Sequence, residues 1–294
     1  MRFVEDHWAQ LVPTLPARLR PVASTLPHRL GLCDTPDGAW TAFTRLPPMY
    51  DPVAFVPTAC VGAAQQDRFR VAHCRAGYYG LLLDRVADHQ ARLSPGLLAL
   101  RPHLRSAWTD ALGQALDDRG RAWRVVREST RRYRRGLAAE GRWRVAGALS
   151  PSGYFRIVRA KTAWLGVSTR CLVEACLGRA AAGRFAAAYG LLVAGLQCFD
   201  DGADCAEDAR LRGVSWPAAL SLPPAAMMAA GPSLLRRAAV VASRDGFDAL
   251  AEWSHAYADT LAAAVAPCDV RGAVGAMMLV AEAEGGGNAE DVRA

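Results

Sequence analysis

Residues 185–213 read FAAAYGLLVAGLQCFDDGADCAEDARLRG, an apolar run that passes without a break into a cluster of acids. Between Phe185 and Phe199 there is no charge and no proline, and alanine and leucine dominate, so the stretch is expected to be helical. It is short for a membrane span, which needs about 20 apolar residues, and suits a buried core helix. Beyond it, Asp200, Asp204 and Asp208 recur every fourth residue and would form one acidic stripe on a helix, with Asp201 beside it. Like charges at that spacing repel. Carboxylates that continue a buried helix are costly unless neutralised, and oxygen-bound divalent cations are the usual remedy. Mg²⁺ takes one or two carboxylates plus water and phosphate oxygens, so this pattern suits a site completed by a diphosphate. A solvated acidic helix end is the plain alternative.

The rest of the 294 residues reads the same way. Hydrophobic residues make up 52% and charged residues 21%, with few β-branched runs, so the chain is expected to be globular and all-α. Residues 1–66 are punctuated by Pro13, Pro16, Pro21, Pro27, Pro36, Pro47, Pro48, Pro52 and Pro57, which predicts short helices and loops. Helices are then expected over 67–93, 97–118, 120–140, 151–178 and 180–206, with Ser94-Pro95-Gly96 as a breaker. Shorter pieces follow at 216–222, 225–230, 232–244, 246–265 and 269–284, and a frayed tail at 285–294. No repeat or strand-like alternation interrupts the series, so one all-helical domain over 1–294, a bundle or barrel around an apolar cavity, is the economical expectation.

The formal net charge is +7, almost all of it from scattered arginines, the densest group being Arg131, Arg132, Arg134 and Arg135. They match no nucleic-acid-binding motif, so a solvated basic face or a polyanionic small substrate accounts for them. The eight cysteines include no C-x-x-C pair, which argues against a zinc site and a disulfide framework. Glu5 and Asp6 stand where a secretory leader would be basic and then apolar, so a cytoplasmic compartment and no transmembrane segment are expected.

Two further groups could carry chemistry. Asp84 and Asp88 lie four apart in LLLDRVADHQ, on one helical face, and would form an opposing wall of the same metal site. Lys161 is the only lysine in the chain, in YFRIVRAKTAWL, where a compact ammonium has been kept among arginines. With Thr162 beside it and Arg156 and Arg159 before it, this segment is placed to grip a departing diphosphate.

These segments resemble the motifs of class I isoprenoid synthases, the trans-prenyltransferases and terpene synthases. LQCFDDGADCAEDARLRG is similar to the second aspartate-rich motif, Q-x-x-D-D-x-x-D, with Gln197 at the expected offset. AKTAWL resembles the Lys-Thr motif and DRVAD the first aspartate-rich motif, all three in the family's order. The resemblance implies an all-α barrel with three Mg²⁺ ions, or Mn²⁺ in their place, bridging carboxylates to a C10 to C20 or longer prenyl diphosphate. It implies Asp84 and Asp88 as metal ligands on one side and Asp200, Asp201, Asp204 and Asp208 on the other. Arg156, Arg159, Lys161, Thr162, Gln197, Arg210 and Arg212 would hold the substrate, and Tyr79, Trp164 and Phe199 would shield a carbocation with their π faces. A homodimer is in keeping with the family. The first motif is D-x-x-x-D, the spaced form also used by squalene and phytoene synthases. Neither the Gly-Lys-Arg segment of chain-elongating enzymes nor the Asn-Ser-Glu motif of ordinary bacterial cyclases is present, and Arg212 replaces a more usual lysine. A terpene synthase is therefore the leading expectation, with a chain-elongating or head-to-head prenyltransferase second and a non-catalytic isoprenoid-binding protein third.

Overall fold

The computed structural model describes residues 2–40, 47–57, 61–147, 149–265, 274, 277 and 278. Among them every regular element is a helix and none is a strand. The chain divides into two compact units, residues 1–130 with 167–172, and residues 131–166 with 173–294.

The first unit begins with α1 (Arg2–Leu11), and then prolines in the first turns set the short helices α2 (Arg20–Ser24), α3 (Leu26–Arg29) and α4 (Pro47–Tyr50). Its centre is α5 (Ala63–Ala87) packed on α6 (Pro95–Leu116). Trp8, Trp40 and Tyr78 meet with ring centroids 4.7 to 5.1 Å apart, and the Tyr78 hydroxyl donates to the Val4 carbonyl at 2.6 Å. The proline-rich start is thus anchored to α5 by buried aromatic surface and by a satisfied polar tip. α5 ends six residues before the expected 93, because His89 turns into the left-handed region at φ 59°. The Ser94 hydroxyl then caps α6 by accepting from the Leu97 N–H, with Pro95 in the first turn, so the expected breaker acts as a helix start.

His73 is fully buried on α5, and its Nε2–H donates to the Met49 carbonyl at 2.8 Å. Burial lowers its imidazole to about 4. Because the folded state disfavours the proton, the stability this group confers is full above about pH 6.5 and is lost as pH falls through 4. Denaturant titrations across that window should show up to about 3 kcal/mol of acid sensitivity in the native chain that is absent from His73→Gln.

The second unit holds the C-terminal half of α7 (Arg119–Ala146), then α8 (Pro151–Lys161), most of α9 (Val167–Ala203), α10 (Cys205–Arg212), α11 (Trp216–Ala219), α12 (Pro224–Arg244) and α13 (Asp248–Ala264). The helix expected over 151–178 is two helices. Thr162 closes α8, its N–H and hydroxyl both donating to the Val158 carbonyl, and a turn to Gly166 follows. The break expected between 178 and 180 is present as a kink inside α9 at Gly178, φ 82° and ψ 172°. α9 is long and apolar enough to cross a membrane, but 56% of its apolar window is buried within the protein. α12 runs unbroken through Gly231 and Pro232, joining the two pieces expected at 225–230 and 232–244. The helix expected at 269–284 falls largely, and the tail at 285–294 wholly, outside the described residues.

α9 and α12 approach backbone to backbone. A β-carbon on Gly231 would come within 2.9 Å of the Gly195 carbonyl oxygen and of Phe199 Cβ, and one on Gly202 would meet Met228 and the Pro224 carbonyl. Gly231→Val is therefore expected to destabilise the protein by about 3 kcal/mol. Gly183→Ala, on α9 with open space around it, should stabilise by up to about 1 kcal/mol, and thermal melts of both variants check the pair.

Candidate functional site

The acids at the end of α9 do not form one stripe. α9 stops at Ala203 and α10 starts at Cys205, with Asp204 at the joint, while the helical ladder continues through Asp204 N–H to Asp200 O at 2.8 Å and Asp208 N–H to Asp204 O at 2.9 Å. Burial sorts the carboxylates. Asp200 and Asp204 are exposed one turn apart, whereas Asp201 and Asp208 are 5% and 6% exposed.

Asp201, expected beside the stripe as a further metal ligand, is buried and hydrogen-bonded through both oxygens. Its Oδ2 accepts from the Tyr154 hydroxyl at 2.7 Å and its Oδ1 from the Gln197 amide at 2.8 Å. Tyr154 comes from α8 and packs edge-on against Phe155 and Trp216, and Trp216 in turn stacks on Trp143 at 4.3 Å. Burial raises the Asp201 carboxyl to about 8, against the lowering effect of those two hydrogen bonds and with Asp200 and Asp208 adding like charge. Asp201 is a polar tie between α8 and α9, and Gln197 serves that tie. Tyr154 was missed from the sequence, although 154, 157, 158 and 161 recur at helical spacing on α8.

Lys161, the expected diphosphate-binding ammonium, lies 3.1 Å from Glu140 Oε2, and Arg144 donates to the other oxygen of the same carboxylate. The Lys161 and Glu140 side chains are 11% and 3% exposed. A β-carbon on Gly136 would meet Ala160 Cβ at 2.9 Å and Lys161 Cγ at 3.3 Å, so α7 and α8 touch here. The tight fit and the buried partner account for a narrow amine where every other base is arginine. The trio still carries one net positive charge. Arg156 is exposed and Arg159 half-buried, about 60° apart around α8 and well away from the Lys161 direction. Thr162 spends its hydroxyl on Val158. Arg210 is exposed, 3.9 Å from Glu207, and the side chain of Arg212 lies outside the described residues.

In the first unit, Asp84 is half-buried on the last turn of α5, and Asp88, 7% exposed, is its C-terminal cap. Of the aromatic residues expected to line a cavity, Tyr79 is 3% exposed and 6.0 Å from Trp108, and Trp164 is 6% exposed. Phe199 is half-buried, packed where α12 passes at Gly231. Tyr257 on α13, unremarked in the sequence, stacks on Trp253 at 4.7 Å, and burial first and the Asp200 charge second raise its phenol.

Among the described residues no three His, Cys, Asp or Glu side chains converge as a preformed metal cage requires. The donors on offer are two exposed carboxylates with hard oxygens, Asp200 and Asp204, which fit Mg²⁺ in the manner of ions that keep their waters and take the remaining ligands from substrate phosphate. Comparison with family models, curated proteins and solved structures returned no match.

Proposed function

We propose that the protein is a class I isoprenoid synthase of the terpene-synthase type, ionising a prenyl diphosphate with Mg²⁺. The observation that carries the reading is the pairing of a buried apolar helix with an acidic terminus. α9 delivers Asp200 and Asp204 to solvent one turn apart, and the Tyr154–Asp201–Gln197 tie fixes the joint that aims them. In this reading Asp200 and Asp204 hold the metal, and Asp201 and Gln197 position that terminus. Mg²⁺, when bound, neutralises the charge that develops on the leaving diphosphate. Arg156 and Arg159, with the net positive charge of the Lys161–Glu140–Arg144 trio, supply the cationic surface of α8 and α7. Asp84 and Asp88 are the remaining carboxylates the resemblance assigns to metal, and their Asn variants are judged by the same assay.

Calorimetric titration with a non-ionisable thio analogue of a C15 prenyl diphosphate tests the reading. Binding that requires Mg²⁺ and weakens in Asp204→Asn supports it. Equal binding with Mg²⁺ or with a chelator would contradict it.

A further inference from the structure

The short helix α11 and the serine before it reach both ends of the acidic segment. The chain turns at Gly213, φ 77°, which closes α10, and comes back to set Ser215 against Cys205, the first residue of α10. A serine that precedes a helix usually accepts from that helix's own first turn. Ser215 makes no such bond to α11; its hydroxyl oxygen accepts instead from the Cys205 thiol at 3.2 Å. Ser215 is buried, so water does not compete for this contact. Cys205 directly follows Asp204.

Trp216, the next residue, works on the other end. Its buried indole is held between Trp143, stacked at 4.3 Å, and Tyr154, met edge-on at 5.2 Å, and Tyr154 donates its hydroxyl to Asp201. Asp201 directly follows Asp200. The far end of α11 is fixed as well, because the Ala219 carbonyl accepts from the Leu149 N–H at 3.1 Å, just ahead of the helix that carries Tyr154. Two adjacent residues thus brace the neighbour of Asp204 directly and the neighbour of Asp200 through Tyr154. Mg²⁺ demands near-ideal octahedral geometry, so carboxylates that share it must hold their spacing and direction.

We propose that Ser215 and Trp216 are positioning residues that set Asp200 and Asp204 for the metal, Ser215 acting through Cys205 and Trp216 through Tyr154. This role rests on the terpene-synthase reading and adds α11 to the tie made by Tyr154, Asp201 and Gln197.

Mn²⁺ titrations of the full chain, followed by electron paramagnetic resonance with the thio analogue of a C15 prenyl diphosphate present, give both the number of sites per chain and their dissociation constant. Ser215→Ala and Trp216→Leu are each expected to raise the constant about tenfold with the number of sites unchanged, the size usual for a residue that orients a metal ligand. Cys205→Ala should behave as Ser215→Ala does, whereas Cys205→Ser, which keeps a donor toward Ser215, should bind as the native chain does. A residue of merely structural importance would lower the number of sites and leave the constant of the folded molecules alone, so that result would overturn the proposal. A native constant in either variant would overturn it equally. If Trp216→Leu fails to fold, Ser215→Ala and Cys205→Ala, which each remove one small group, decide the matter. Absence of Mn²⁺ binding by the native chain would overturn the terpene-synthase reading and the positioning role with it, while native binding that the variants match would overturn the positioning role alone.

Discussion

Asp200→Asn and Asp204→Asn are each expected to lower diphosphate release from a prenyl diphosphate by about a hundred- to a thousandfold, with the helical circular dichroism unaltered. Both side chains are exposed at the end of α9, so each replacement takes little packing away. Activity should therefore fall far more than stability. Asp201→Asn is the contrasting case. Its carboxyl is enclosed by Tyr154 and Gln197, so its replacement disturbs the tie between α8 and α9 and shows in the melting temperature as well. Rate assays at saturating Mg²⁺, paired with thermal melts, separate the two kinds of loss.

Glu140→Ala should destabilise the second unit by about 3 kcal/mol, because it removes the buried carboxylate that the Lys161 ammonium and the Arg144 guanidinium both approach. The attraction within a buried ion pair is offset by desolvation, so replacing both members by apolar groups is far milder than removing one. Glu140→Leu combined with Lys161→Met and Arg144→Met is accordingly expected to recover most of the loss. Urea denaturation of the single and triple variants, with the m-value checked for constancy, gives the comparison.

Helical class and most element positions were legible in the sequence because they follow from local patterning. Alanine- and leucine-rich periods without strand-like alternation gave helices, and Gly178 marked the kink in α9. The errors arose where a side chain answers to its own backbone or to a neighbouring helix. Ser94 reads as part of a breaker but caps α6, and Thr162 ends α8 by bonding back to Val158. At the site, spacing identified Asp200, Asp201, Asp204 and Asp208 but could not sort them. Asp200 and Asp204 face solvent while Asp201 and Asp208 are buried, and for Asp201 that depends on the hydroxyl that Tyr154 offers from α8. Lys161 stood out by composition, while its partner Glu140 is one acid in an arginine-rich helix with nothing local to mark it.

Product analysis is the direct test of whether the protein ionises a prenyl diphosphate. The purified protein is incubated with Mg²⁺ and C10, C15 or C20 prenyl diphosphates, each alone and with isopentenyl diphosphate, and extracts are read by gas chromatography with mass spectrometry. A terpene hydrocarbon or alcohol is expected from a single diphosphate, dependent on Mg²⁺ and absent from Asp200→Asn. Unchanged substrate in every mixture, or product formed equally well by Asp200→Asn, would contradict the proposed ionisation.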